Sequence, residues 1–399
     1  MLIFPISFFK SRGCPFSKSL ITLNIDWIRA DFPGLQEWTY LDNAFIGLYP
    51  KQVREGYEEF LDQWMSFNPE GTKTILENWL DKANHVRGMI ADFVGAETNE
   101  IAFTTCTGSG LNIVINGMKW EKGNNVVFPE HEHNPLDTMT LRRYGVESRP
   151  VKVTKGQISL NDLEKAIDNN TKIVQVSQVS YVNGFRLDLK KVSDIAHDHG
   201  AKVLVDSTQA LGALSTDVKA ERVDYVSAAP YKYMMGPAGL AFLYVSSEHL
   251  DALEPDRIGW KNQLWEGDYA EEQLDGSTAE KFEYGTINFQ GVYGLERSLE
   301  YINNLGIENI EKRIITLTDY LWSRLSELGR KMYTLSGNKS PIVSFYQNNP
   351  IEVAAKLMLD KVKVTGRKAH GGHVRVSSHF YNTREDIDCF IDKISKFPP

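Results

Sequence analysis

Residues 172–206 read KIVQVSQVSYVNGFRLDLKKVSDIAHDHGAKVLVD, and this stretch decides the fold. It opens on a β-branched run, Lys172-Ile-Val-Gln-Val176, with the composition of a buried strand. Asp188 then offers a helix N-cap, and Val192, Ile195, Ala196 and His199 recur at helical spacing until Gly200 ends the helix. A second apolar run, Lys202-Val-Leu-Val205, follows and stops at Asp206. Strand, helix and strand in this order form a βαβ unit, whose crossover makes the two strands parallel.

The same alternation runs outward from Glu100 to Val245, which predicts an α/β protein with a mainly parallel sheet and its chemistry at the strand ends. Upstream, Val86, Ile90 and Phe93 lie at helical spacing and Gly95 stops that helix. Ile101-Ala-Phe103 then reads as a strand feeding a small-residue loop, Thr104 to Gly110, with a helix from about Leu111 to Met118. After residue 285 the character changes to long helices, with Ile310, Ile314, Leu317, Leu321, Leu325 and Leu328 on one stripe that Gly329 terminates. A strand at Ile342 to Tyr346, a helix near Ile351 to Leu359 and a strand around Val374 and Val376 come next. The last helix opens on Thr383-Arg-Glu-Asp386, a capping-box-like start. These readings divide the chain into an N-terminal extension (1–24), a large domain (25–285) whose first residues also serve the small one, and a smaller α+β C-terminal domain (286–399). Residues 256–276 fit neither period, and their two tryptophans suggest a lid or a subunit contact.

Composition narrows the function. The 399 residues carry 42% hydrophobic and 24% charged side chains, so a disordered or disulfide-stapled chain is excluded. A net charge of -8 gives no electrostatic reason to expect nucleic acid or an anionic membrane. No apolar run approaches the roughly 18 to 20 residues of a membrane helix. Three dispersed cysteines, Cys14, Cys106 and Cys389, form no CxxC pair and point to a reducing, cytoplasmic setting.

The loop Thr104 to Gly110 precedes a helix N-terminus, where backbone N–H groups and the dipole favour a phosphate, and Thr107 and Ser109 add hydroxyls. It matches neither GxGxxG nor the GxxxxGK P-loop, and it also reads as an ordinary βα turn. Asp206, at a strand's carboxyl end, is either a ligand-facing carboxylate or a cap for the next turn. Lys232 stands in an apolar, aromatic setting, Pro230-Tyr-Lys-Tyr-Met-Met-Gly236, where burial lowers an amine's pKa and frees it for a Schiff base. Taken alone it is equally a snorkelling surface lysine. Glu130-His-Glu-His133 and the set His370, His373 and His379 lack a closed metal pattern, so no metal is expected. Arg375, between Val374 and Val376, is either outward-facing or a fork for a carboxylate.

A phosphate loop, a strand-end Asp, a later Lys in an apolar setting and a C-terminal Arg are together the parts of a pyridoxal phosphate site. The chain resembles the class V aminotransferase family of fold-type I pyridoxal phosphate enzymes, which includes cysteine desulfurases, selenocysteine lyases and isopenicillin N epimerase-like proteins. The resemblance rests on YLDNA (40–44), TCTGSGLN (105–112), EHEHN (130–134), VLVDSTQALGA (203–213), YKYMMGPAG (231–239), FEYGTIN (282–288) and VRVSSHFYNT (374–383). It implies pyridoxal 5'-phosphate as cofactor, an amino acid as substrate, and a homodimer with its active site at the subunit interface.

The same resemblance implies roles for single residues. Lys232 matches the Schiff-base lysine that moves the α-proton, and Asp206 the carboxylate that keeps the pyridine nitrogen protonated. His131 matches the ring-stacking aromatic, and Gln209 the donor to the phenolic oxygen. Thr107, Gly108 and Ser109 fall at the phosphate turn, and Thr286 resembles a residue reaching the phosphate of the neighbouring subunit. Tyr231 and Tyr181 border the cofactor, Tyr181 standing where the family has an asparagine. Arg375 matches the arginine that grips the α-carboxylate, with Asn43 and Ala44 lining the substrate pocket. Two departures stand out: Ala229-Pro-Tyr-Lys232 replaces the desulfurases' usual Ser-Gly-His-Lys, and TGRKAHGGHVR (365–375) lacks the persulfide-forming cysteine. The expectation is therefore an isopenicillin N epimerase-like or C–S lyase-like enzyme, ahead of an aminotransferase, a cysteine desulfurase, or a catalytically silent cofactor-binding protein.

Overall fold

The computed structural model describes residues 24–67, 73–133, 144–263 and 276–398, together with the backbone of two short strands, Trp265–Glu266 and Tyr269–Ala270. Residues 1–23, with Cys14, lie outside the described residues, as do Asn134 and much of the 256–276 segment. The leading βαβ unit is present as the sequence predicts. Strand Thr171–Ser177 leads to helix Leu189–Asp198, whose N-cap Asp188 accepts from the Lys191 N–H, and then to strand Lys202–Asp206. Such a cap contributes about 1 kcal/mol.

In chain order, the strands are β1 (Thr39–Tyr40), β2 (Ile101–Thr104), β3 (Asn125–Pro129), β4 (Glu147–Val151), β5 (Thr171–Ser177), β6 (Lys202–Asp206), β7 (Tyr225–Ala228) and β8 (Ala241–Val245). Strands β2 to β8 form one seven-stranded sheet in the order β2-β8-β7-β6-β5-β3-β4, with β8 antiparallel to both neighbours and the other pairs parallel. Every residue of β2, β3, β7 and β8 is buried, which is why these strands read as continuous apolar runs rather than alternating ones.

Helices α1 (Ile25–Ala30), α2 (Lys51–Ser66), α3 (Ile75–Val94) and α4 (Thr107–Gly117) come from the first third of the chain, and α5 (Phe289–Leu305) and α6 (Ile307–Glu327) from the last. Helix α3 starts on a capping box between Thr74 and Glu77 and ends before Gly95. Phe289, Val292, Leu295, Leu299 and Ile302 of α5, with Ile310 and Ile314 of α6, belong to the same core as the large sheet. Leu317, Leu321 and Leu325 of α6 pack instead with Leu41 and the C-terminal strands and helices in a separate core, so α6 spans both. Leu328, placed on the buried stripe, is 37% exposed because α6 ends at Glu327.

The smaller core packs α6, α7 (Pro350–Leu359) and α8 (Arg384–Ser395) on a three-stranded antiparallel sheet of β9 (Ile342–Tyr346), β11 (Thr365–Arg367) and β12 (His373–Ser377). Helix α8 opens on the predicted capping box between Thr383 and Asp386. The first described residues reach this region too: β1 pairs with β10 (Val362–Lys363), and Arg29 bonds Asp386 at 2.8 Å. Among the described residues no helix is long and apolar enough to cross a membrane.

Candidate active site

The carboxyl ends of β2, β3, β5, β6 and β7 lie along one edge of the sheet, and Thr107, His131, Tyr181, Asp206 and Lys232 follow those ends. Lys232, four residues past β7, is 8% exposed. Its pKa is pushed down from 10.5 to about 8, above all by burial; Asp206 pulls it up, while Arg375 and Arg367 repel it further. Tyr231 places its ring 5.5 Å from the amine. Asp206, buried at the end of β6, accepts from the Thr208 N–H at 3.0 Å.

A hydroxyl ladder links this carboxylate to the turn after β2. Thr107 and Thr208 share a hydrogen bond of 2.7 Å, the Thr208 hydroxyl accepts from the Ala229 N–H at 3.3 Å, and Ser227 donates to the Thr107 carbonyl at 2.9 Å. Sequence reasoning missed Thr208 and Ser227; the spacing of Thr208, two residues past a strand-end Asp, is the signal that was available. The loop itself is shorter than predicted. Helix α4 starts at Thr107, so Gly108 and Ser109 form its first turn, with Cys106 as an extended N-cap. The glycines at 108 and 110 disguised a helical turn as a loop. The positive end of the α4 dipole still faces this turn. Ser109 shares a 2.8 Å hydrogen bond with Thr105, and exposed Thr286 borders the same pocket as Thr105 and Ser109 of its own chain.

At the other end of the site, Arg375 is 0% exposed, which removes the outward-facing alternative. Its Nη1 donates to the Tyr181 carbonyl at 2.9 Å and its Nη2 lies 3.6 Å from Asp42, while Nε and Nη2 have no hydrogen-bond partner. Asp42 is shared, since it also accepts from Thr365 at 2.6 Å and pairs with Lys363 at 3.4 Å. Tyr181 is held from two further sides: His133 meets its ring edge-on at 4.9 Å, and the Arg367 guanidinium lies 5.0 Å from the ring centre.

The polar groups of Asn43 and Ala44 are engaged by neighbouring segments of the chain. The Asn43 amide donates to the Ser377 carbonyl at 2.8 Å and accepts from Tyr381, and the Ala44 N–H donates to the Ser377 hydroxyl at 2.9 Å. Gln209 donates from Nε2 to the Ala44 carbonyl at 3.0 Å, leaving Oε1 buried without a partner. Farther along the same segment, the Gly47 N–H donates to the Tyr231 carbonyl at 2.9 Å. A Cβ on Gly47 would stand 1.9 Å from the Lys232 carbonyl oxygen, so only glycine passes there.

The histidines separate instead of converging on a metal. His131 and His370 meet with ring centres 3.9 Å apart and planes inclined at 50°, His373 packs edge-on against Tyr333, and His379 faces the Tyr233 carbonyl at 2.8 Å. His370, Gly371 and Gly372 all have positive φ, and this tight turn brings the His370 ring against His131. Burial, and then proximity to His370, holds the His131 pKa below its usual value. Glu132, a residue the sequence analysis gave no role, accepts from the Ser177 N–H at 2.9 Å and from the Ser177 hydroxyl. Burial, followed by the charge of Asp206, pushes its carboxyl up to about 7 despite those bonds.

One crevice thus holds an amine of lowered basicity, a buried carboxylate, a helix N-terminus and a buried guanidinium with donors to spare. Pyridoxal phosphate asks for these groups, and the orphaned Gln209 Oε1 and Arg375 nitrogens show that the pocket is built for a polar occupant. The residues fit that cofactor.

The sequence profile of the family described as Aminotransferase class-V matches residues 39–390. A probable cysteine desulfurase of Methanothermobacter thermautotrophicus is 33% identical, over 92% of this chain and 96% of the relative. The apo structure of a cysteine desulfurase from Thermococcus onnurineus superimposes with a TM-score of 0.85 at 28% identity, covering 93% of this chain and 97% of that one. The cystine C–S lyase C-DES, in complex with its product cysteine persulfide, shares the fold with a TM-score of 0.86 at 23% identity, over 92% and 100% of the two chains.

Proposed function

Because the chain belongs to the aminotransferase class V family, a pyridoxal phosphate enzyme acting on an amino acid, we propose that it is a lyase that removes a substituent from the substrate's β-carbon. The observation that carries this reading is the turn at 370–372. Where a desulfurase presents a thiol, this chain presents His370, packed on His131. The sulfur chemistry in the relatives' names and the missing loop thiol agree on carbon–sulfur or similar cleavage that does not route the leaving group through this loop.

The chemistry pyridoxal phosphate supplies is an electron sink for the α-carbon. Lys232, with its pKa near 8, keeps part of its amine neutral at working pH and moves the α-proton at Nζ. Asp206, fixed at the end of β6 by the sheet, would hold the ring nitrogen's proton. Thr107, Gly108 and Ser109 would hold the phosphate with the α4 N-terminus, and Thr286 of a second subunit would complete that end in a homodimer. His131 would cover the ring, Tyr231 and Tyr181 would border it, and Gln209 would donate to its phenolic oxygen. Arg375 takes the α-carboxylate with its unpartnered Nε and Nη2.

Cysteine desulfuration is the second reading, and Cys106 is the observation that favours it. This exposed thiol is pushed up by its partial burial, but hydrogen bonds from Ser109, Thr105 and the Gly108 N–H outweigh that and hold it below its usual pKa. The deciding experiment feeds a panel of amino acids to the holoenzyme and follows the visible spectrum, the small-molecule products and the protein mass together. A fragment lost from the β-carbon with sustained turnover, absent in Lys232→Ala, is expected. A persulfide on Cys106 would make the protein a desulfurase. Release of one keto acid, stalled until a second is supplied, would make it an aminotransferase, and inversion without a fragment an epimerase.

A further inference from the structure

The substrate end of the crevice carries more positive charge than one α-carboxylate answers. Arg375 sits at its base, wholly buried, with two unpartnered nitrogens. Arg367, at the end of β11, is partly exposed, with its guanidinium over the ring of Tyr181 and its Nε buried without a partner. Both arginines therefore bear on one residue, since Arg375 bonds the Tyr181 carbonyl. Among the described residues no carboxylate pairs with Arg367.

The surrounding acids are already engaged. Asp42 is divided among Thr365, Lys363 and Arg375; Asp206 faces Lys232; Glu130 stands beside His131. The other wall is the His131–His370 pair, whose rings are both held below the usual histidine pKa by burial. The Arg367 charge acts on Lys232, Arg375, His370 and His373, lowering the pKa of each, so it lies close to the groups of this cleft. A substrate with a neutral side chain would cover Arg367 and strip it of water without giving it a partner, at a cost. An anionic group would return charge-assisted hydrogen bonds to the fork.

We propose that Arg367 determines specificity, and that the substrate is an α-amino acid whose side chain ends in an anion of the carboxylate or sulfinate class. Arg375, bonded to the Tyr181 carbonyl, takes the α-carboxylate, and Arg367, over the Tyr181 ring, takes the second negative group. This rests on the reading of the crevice as an amino acid site.

The test is equilibrium binding of unreactive acids to the holoenzyme, measured by calorimetry. Succinate carries both negative groups and butyrate only one. Succinate should bind roughly 10- to 100-fold more tightly, the factor expected from a hydrogen bond to a charged group. In Arg367→Gln that preference should vanish with butyrate binding unchanged, Arg367→Lys should keep part of it, and Arg375→Gln should weaken both ligands. Thermal melts of each variant separate a lost contact from a lost fold. Equal affinity of the wild type for the two acids, or a preference that survives in Arg367→Gln, overturns the inference. An amino acid panel separates the two levels: if neutral amino acids perturb the holoenzyme's visible spectrum as readily as aspartate, the Arg367 assignment alone falls. If none perturbs it, the amino acid site itself is refuted.

Discussion

Arg87 and Arg375 are both buried arginines, 1% and 0% exposed, and they are treated in opposite ways. Arg87, in α3, is closed. It donates to the Ile101 carbonyl at 2.8 Å, to Glu283 at 2.5 and 3.3 Å and to Glu280 at 3.1 Å, leaving only Nε over. Glu283 is answered in turn by Lys261 at 2.6 Å and the Phe103 N–H at 2.7 Å, and these partners, Arg87 foremost, overcome its burial and keep its carboxyl below the usual range. Arg375 makes one hydrogen bond and holds two nitrogens in reserve. A structural ion network satisfies its members internally, whereas a binding residue withholds donors for a molecule that comes and goes.

Three measurements bear on this contrast, beginning with the largest expected effect. Arg87→Met leaves buried Glu283 with Lys261 and the Phe103 N–H but without its main counter-charge, and removing one partner of such a pair costs about 3–5 kcal/mol. Urea unfolding should show that loss, with the cofactor still bound by whatever protein stays folded. Arg375→Gln should do the reverse. Its unfolding midpoint should hold or rise, because a poorly compensated buried charge is gone, while kcat/KM falls by roughly 10²- to 10³-fold through loss of the carboxylate pair. If instead Arg375→Gln unfolds the protein and Arg87→Met only slows it, the contrast is wrong.

The smallest effect concerns Lys232. With a pKa near 8, its neutral fraction rises roughly threefold between pH 7.5 and 8.5, and the rate at which the apoprotein captures pyridoxal should rise with it. Arg375→Gln removes a repelling charge, so the midpoint should move to higher pH; Arg87→Met should leave it in place. The linkage has a definite sign. Between pH 8 and 10.5 the folded apoprotein holds fewer protons on Lys232 than the unfolded chain, so its stability should rise with pH across that window.

The sequence displayed those features that depend on local period and capping. The βαβ unit at 171–206, the Asp188 and Thr383 caps and the strand Ile342–Tyr346 are local events, and each lies where spacing places it. Asp206 and Lys232 were visible because strand ends and apolar lysines are conspicuous. Other features depend on contacts between distant segments. Nothing near Asn43 in the sequence reveals that Ser377 and Tyr381 engage its amide. Arg367 and Glu132 drew no individual role from the sequence, since only the fold sets one over the Tyr181 ring and the other against Ser177. The first turn of α4 was hidden by its own glycines, whose low helix propensity is overridden by packing.

The segment Asp42–Gly47 has a bearing on the order in which the molecule assembles. Asn43 is tied to Ser377 across 334 residues, while a few positions on Gly47 is threaded against the backbone of the lysine it helps enclose. Closing so long a loop is entropically unfavourable and slow, so contacts of this range form late. A chain still emerging from the ribosome can complete the βαβ units from 101 to 245, but it lacks β12 and therefore the anchor for 42–47. The wall beside Lys232 is put up by the two ends of the chain meeting, and a reactive amine is enclosed only in a molecule that has been made almost to its last helix.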